Sequence, residues 1–175
     1  LAVEGRGVPV SMTIALLLTQ AFLRLWTPDL LTPTQEIVLM SFYKGINPHV
    51  ALAVAQTETG NLSEADGIRD RVVSLGNYGR FQVNCKTWRG PLDLDSCDRL
   101  RERHTNIWAG LTILSYVSAN RRARPAGPHR WVAHYNEGPV VQEGGRGERY
   151  ARRVEYHMRR WAKDSRRVFA PFRGW

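Results

Sequence analysis

Cysteine is scarce in this chain of 175 residues: there are two, at positions 85 and 97. That count excludes a disulfide-dense miniprotein and a four-cysteine zinc site. Lysine is scarcer than the charge would suggest. Of 25 basic residues only 3 are Lys and 22 are Arg. Arg suits bidentate contact with carboxylate or phosphate, and a GC-rich genome gives the same bias. Internal repeats and low-complexity tracts are absent, which argues against a solenoid or a tract-driven disordered chain. What is present is ordinary for a globular protein: 43% hydrophobic and 23% charged residues, in a length that suits one domain.

The charge is unevenly placed. Residues 1–120 hold 11 Lys+Arg against 11 Asp+Glu, and residues 121–175 hold 14 against 5, so the net +9 comes from the last third. A pI of 10.2 favours polyanionic partners: cell-wall polymers, nucleic acid or an acidic membrane face.

Residues 7–23 carry no charge. They fit a signal-peptide core, a signal anchor or a buried helix, and fall short of the ~20 residues that span a bilayer. Arg24 and Trp26 suit headgroup depth, so residues 7–26 are a candidate membrane-associated segment. No small-x-small cleavage site follows, and a cleaved signal peptide is not expected.

Thr27-Pro28-Asp29 breaks the apolar run. Thr32-Pro33-Thr34-Gln35 supplies an N-cap, a first-turn proline and a capping-box glutamine, predicting a helix to about Lys44, ended by Gly45. Asn47-Pro48 repeats the signal and opens PHVALAVAQTET, which stops at Gly60 and is apolar on every side from Val50 to Ala55. Residues 60–97 are rich in Gly and turn residues, with short strands expected around 78–83. Helical periodicity returns with Leu100, Ile107, Leu111, Leu114 and Val117. A short helix is expected at 129–135, a Gly-rich turn at 144–147, and a last helix at 148–163 with Val154, Met158 and Trp161 inward. The fold class is mainly α, with a small loop and short-strand lobe.

Glu58 stands in the last turn of the most apolar helix. Burial and the negative end of the helix dipole both disfavour its carboxylate, which moves its pKa toward what a general acid needs near neutrality. The alternative is a last-turn Glu that points into water. Four blocks bear on the choice: Ala53-Val54-Ala55-Gln56-Thr57-Glu58-Thr59-Gly60, Gly76-Asn77-Tyr78-Gly79-Arg80-Phe81-Gln82-Val83, Asn106-Ile107 with Gly110, and Ala133-His134-Tyr135-Asn136-Glu137-Gly138.

In these blocks, in this order, over residues 46–157, the chain resembles the lytic transglycosylases of the soluble-transglycosylase, lysozyme-like superfamily. The resemblance implies a lysozyme-like domain at 32–163, preceded by the apolar segment 1–31 and followed by a basic aromatic tail at 164–175. It implies Glu58 as the catalytic acid/base and Gln82 as a glutamine lining the glycan groove. Tyr135 would hold the Glu, with Asn136 as a polar partner. Tyr78, Gly79 and Phe81 would shape the groove wall, and Asn106 and Gly110 would fix the long helix against it. Thr59, counted among the candidate substrate-binding residues, stands where the family usually has Ser, and Arg80-Phe81 where Leu-Met is common. The implied substrate is the peptidoglycan glycan strand, cut between N-acetylmuramic acid and N-acetylglucosamine with 1,6-anhydro ends. No cofactor or metal is implied.

A single carboxylate suffices when the substrate's 2-acetamido group assists; two-carboxylate hydrolysis needs a partner. Glu64, Asp66 and Asp70 are the candidates for that partner, or are solvated loop charges. Cys85 and Cys97 would form a disulfide in an oxidising compartment, or remain buried thiols. His104, His129 and His134 gather no third metal ligand at helical spacing. Arg121, Arg122, Arg124 and the pairs 152/153, 159/160 and 166/167 suit anionic wall polymers or lipid headgroups; nucleic acid is the less favoured partner. The expected setting is the cell envelope, periplasm or a phage virion.

Overall fold

The structure, a computed structural model, describes residues 31–60, 69–120, 130–138 and 140–164. The apolar segment 7–26, Glu64, Asp66, His129, Arg121, Arg122, Arg124 and the tail from 165 lie outside the described residues.

Helix α1 (Pro33–Tyr43) begins as its capping signal predicts. The Thr32 N–H donates to Gln35 Oε1 at 2.9 Å and the Gln35 N–H to Thr32 Oγ1 at 3.3 Å, which satisfies two donors that a helix start leaves without partners. Helix α2 (Pro48–Thr59) is capped by Asn47, whose Oδ1 accepts the His49 N–H at 2.9 Å. It ends at Gly60, whose φ of 84° a side chain would resist. Residues Val50 to Ala55 are at most 1% exposed, so α2 is sheathed on all sides. It packs chiefly against helix α6 (Arg146–Lys163) and α1.

Between α2 and helix α4 (Arg103–Ala119) lies the small lobe. Strands β1 (Val73–Ser74), β2 (Asn77–Tyr78) and β3 (Val83–Asn84) form an antiparallel sheet in sequence order, with Val73 opposite Tyr78 and Tyr78 opposite Val83. The expected strand region at 78–83 is thus two strands joined by a tight turn. Gly79 and Gln82 both take positive φ there, 66° and 45°. Helix α3 (Cys85–Trp88), which local pattern did not suggest, follows β3. Cys85 at its start is bonded to Cys97 in a 3-10 turn, Cys97–Arg101. That crosslink closes a short loop and adds about 3 kcal/mol.

Leu100 belongs to this turn rather than to α4, while Ile107, Leu111 and Leu114 form the fully buried stripe of α4. The short helix is displaced from expectation: a 3-10 turn, Arg130–Val132, leads into α5 (Ala133–Glu137). Helix α6 begins two residues early, taking in Arg146 and Gly147 from the expected turn. Glu137 explains this. Its Oε2 accepts the Gly147 N–H at 2.9 Å, a carboxylate at a helix start, and a methyl on Gly147 would collide with it. The domain is mainly helical with a small strand lobe, as the sequence implies. Among the described residues no helix is long and apolar enough to cross a membrane.

Candidate active site

Glu58 ends α2 half-buried, beside the 1%-exposed ring of Tyr150 on α6. Burial pushes its carboxyl up from 4.5 to about 7; a hydrogen-bonding contact with Tyr150 and the charge of Arg153 pull the other way. The Tyr150 contact is loose, since its hydroxyl makes no hydrogen bond of good geometry among the described residues. Tyr150 and Tyr135 are themselves held neutral far above their ordinary range, by burial first and by the Glu58 charge next.

From Tyr150 a continuous chain of contacts reaches the small lobe. Its ring stacks on Tyr135, with centroids 6.5 Å apart. The Tyr135 hydroxyl donates to the Phe81 carbonyl at 2.7 Å, and the Phe81 N–H donates to Asn106 Oδ1 at 2.9 Å. Asn106, fully buried, donates through Nδ2 to the Tyr78 carbonyl at 2.7 Å and the Leu100 carbonyl at 3.0 Å. Thr59 closes the circuit, its hydroxyl reaching the carbonyls of Ala55 at 3.0 Å and Arg80 at 3.4 Å. Four blocks far apart in sequence therefore meet around the end of α2.

Several individual expectations need correction. Phe81 was expected to shape a groove wall, but it is fully buried and lies against Gly110, where a methyl would overlap its ring. It contributes backbone, and its side chain anchors the turn in the core. Thr59, 7% exposed, ties the turn to α2 rather than facing a ligand. The Tyr135 hydroxyl is committed to Phe81, so the tyrosine hydroxyl that contacts Glu58 is that of Tyr150. Asn136 is exposed, and no contact among the described residues joins it to Glu58.

Gln82 is half-buried, with Nε2 donating to the Gly79 carbonyl at 2.8 Å and the Val72 carbonyl at 3.4 Å. These bonds help hold its left-handed backbone, which a non-glycine residue adopts only at a cost. Tyr78, also half-buried, lies under the Arg101 guanidinium, 5.6 Å from the ring centroid. Gly79 and Gly110 serve close approach: a methyl on Gly79 would strike Asn106.

Asp70 is not a solvated charge. It is 8% exposed and paired with the fully buried Arg80, Oδ1 to Nε at 2.6 Å. His104 Nδ1 meets Glu36 Oε1 at 2.9 Å, and His134 Nδ1 meets the Gly138 carbonyl at 2.8 Å.

The sequence reading missed two residues. Tyr150 lies one turn before Val154 on the inward stripe of α6, so extending that period would have found it. Glu36, fully buried in α1, pairs with Arg103 Nε at 2.9 Å and with His104. Those partners are 67 and 68 residues away, and no local signal announces them. Comparison of the chain with protein-family models, with curated proteins and with solved structures finds no match.

Proposed function

We propose that this chain cleaves the glycan strand of bacterial peptidoglycan as a lytic transglycosylase, with Glu58 as the acid/base. One observation carries the reading. A carboxyl at the end of a buried helix has its pKa pushed to about 7, so it holds a proton near neutrality and can also give it up.

In the proposed reaction Glu58 protonates the oxygen between N-acetylmuramic acid and N-acetylglucosamine. As that bond breaks, the 2-acetamido oxygen of the muramic residue attacks the anomeric carbon. Glu58, now ionised, takes the proton of the same sugar's 6-hydroxyl, whose oxygen displaces the acetamido group and closes the 1,6-anhydro ring. Glu58 ends protonated, and no water is consumed. The pairing of Asp70 with Arg80 supports the one-carboxylate route over water activation by Asp70. Tyr150 and Tyr135 line the acid with neutral hydroxyl-bearing rings, which keep its surroundings weakly polar. The Cys85–Cys97 disulfide supports action in an oxidising setting, the cell envelope or its exterior.

Mass spectrometry of digested peptidoglycan, with Glu58→Gln as the blank, tests the reading. Products ending in 1,6-anhydro-N-acetylmuramic acid, absent from the blank, are the expected result. Products one water heavier would make the enzyme a hydrolytic muramidase. No released products would overturn the reading and favour a non-catalytic basic protein, and equal release by the variant would overturn the assignment of Glu58.

A further inference from the structure

The Cys85–Cys97 bond fastens two parts of the small lobe that meet at Tyr78 and Gln82. Cys85 directly follows β3, and its N–H donates to the Gly76 carbonyl at 3.1 Å. Cys97 opens the 3-10 turn Cys97–Arg101. That turn supports the lobe in two ways. The Leu100 carbonyl accepts from Asn106 Nδ2 at 3.0 Å, and the same amide side chain holds the Phe81 N–H and the Tyr78 carbonyl. Arg101 lays its guanidinium over the Tyr78 ring. Between the cysteines, Arg89 donates to the carbonyls of Leu94 at 3.2 Å and Asp95 at 2.7 Å, and the Leu94 N–H returns to the Arg89 carbonyl at 2.9 Å. These bonds close within the segment, so the crosslink carries the tie between strand and turn.

One sulfur of that crosslink is open to attack. Cys85 is 3% exposed, whereas Cys97 is half-buried, and both line a cleft of about 420 Å³. Lys86 and Arg89 line it against a single carboxylate, Asp93. A net positive lining favours an approaching thiolate, and access decides which sulfur it reaches.

We propose that the Cys85–Cys97 bond is a redox switch on glycan binding, set by the closed bond and released when a dithiol opens it. The inference rests on the glycan-cleaving reading above. A thiolate of the dithiol attacks the Cys97 sulfur, the S–S bond breaks, and the electron pair leaves on Cys85, which takes up a proton. The second thiol of the reductant then attacks its own sulfur in the mixed disulfide and releases Cys97, which is protonated in turn. Two electrons and two protons end on the cysteines, and the reductant leaves as a disulfide. A disulfide oxidant runs the exchange backward. Where thiols stay reduced the chain is held at low glycan affinity, and it gains affinity where they are oxidised.

The test assays the full chain oxidised, reduced with dithiothreitol, and reoxidised, with alkylation and mass measurement to count free thiols. Reduction is expected to free both cysteines and leave helical circular dichroism intact. KM on soluble glycan strands should rise at least about fivefold with kcat within about twofold, and reoxidation should restore it. Amide hydrogen exchange should quicken in residues 77–84 and 97–106 and stay unchanged in α2 and α6. The alkaline limb of activity should not move, because Tyr150 and Arg153, which act on Glu58, stand on α6. Cys85→Ser with Cys97→Ser should show the reduced KM with or without dithiothreitol. Should that variant not fold, the reduced and reoxidised protein decides alone. A bond that resists dithiothreitol in the folded chain, an unchanged KM after reduction, or collapse of the whole fold would each overturn the switch. Failure of the reading beneath it looks different: the oxidised protein would release no anhydro products, whatever its hydrogen exchange.

Discussion

Among the described residues, Glu36 and Glu58 are both drawn away from solvent, and their surroundings are opposite. Glu36 is buried where α1 meets the start of α4, and each of its oxygens has a cationic or potentially cationic partner, Arg103 and His104. Glu58 is half-buried where α2 meets α6, and the polar group it meets there is the Tyr150 hydroxyl. A carboxylate buried with its counter-charges is a structural tie; one buried without them holds a proton and can do chemistry. One chain uses burial both ways, in the first turn of α1 and the last turn of α2, and the difference lies in the partners.

The comparison can be broken most sharply at Glu58. Glu58→Gln keeps the shape and removes the proton donor, and lytic rate on purified peptidoglycan should fall by about 10² to 10⁴-fold. Circular dichroism should stay unchanged. Residual lysis near the unaltered rate would remove Glu58 from the chemistry.

At Glu36 the expected loss is of the fold. Glu36→Gln leaves Arg103 and His104 without their anion, costing about 3 kcal/mol. That is the low end for a broken buried pair, because both partners reach solvent. Denaturant midpoints measure it, and a change within error would show that the tie holds nothing.

Stability should respond to Glu58→Gln in the reverse sense. The folded pKa of about 7 lies above the ordinary 4.5. The unfolded carboxyl therefore ionises first as pH rises, and the folded state is progressively penalised between 4.5 and 7. The variant should match the unaltered protein at pH 4 and exceed it at pH 8 by about 2 kcal/mol, discounted for partial exposure. Thermal melts at both pH values decide this.

The same proton sets activity. Turnover should decline as pH rises through about 7, where Glu58 loses its proton. Arg153→Gln removes a charge that favours ionisation, so this alkaline limb should move upward. A limb that stays in place would separate Arg153 from the acid. The smallest effect belongs to His104, whose side chain is 42% exposed. Its pKa is raised, by the hydrogen bond to Glu36 first. Its contribution is present in full below 6.5 and fades as pH rises through the folded value. His104→Gln should cost less than about 1 kcal/mol at pH 5.5 and less still at pH 8.5.

The sequence by itself determined the elements whose signals are local. Thr32-Pro33 and Asn47-Pro48 start helices, Gly45 and Gly60 stop them, and the unbroken apolar run from Val50 to Ala55 buries α2. Glu58 was legible because burial and a helix end can both be read within one segment. Asn106 and Gly110 were legible as fixtures of the small lobe, and the contacts of both bear that out. Tertiary structure decided the partners. Phe81 became a core anchor because Gly110 leaves room for it. Asp70 became half of an ion pair because Arg80 is buried beside it, and Tyr150 became the hydroxyl at the acid because α6 crosses the end of α2. Capping, turn preference and periodicity act over a few residues. Desolvation and pairing depend on which distant segments share a volume, and only the folded chain sets that.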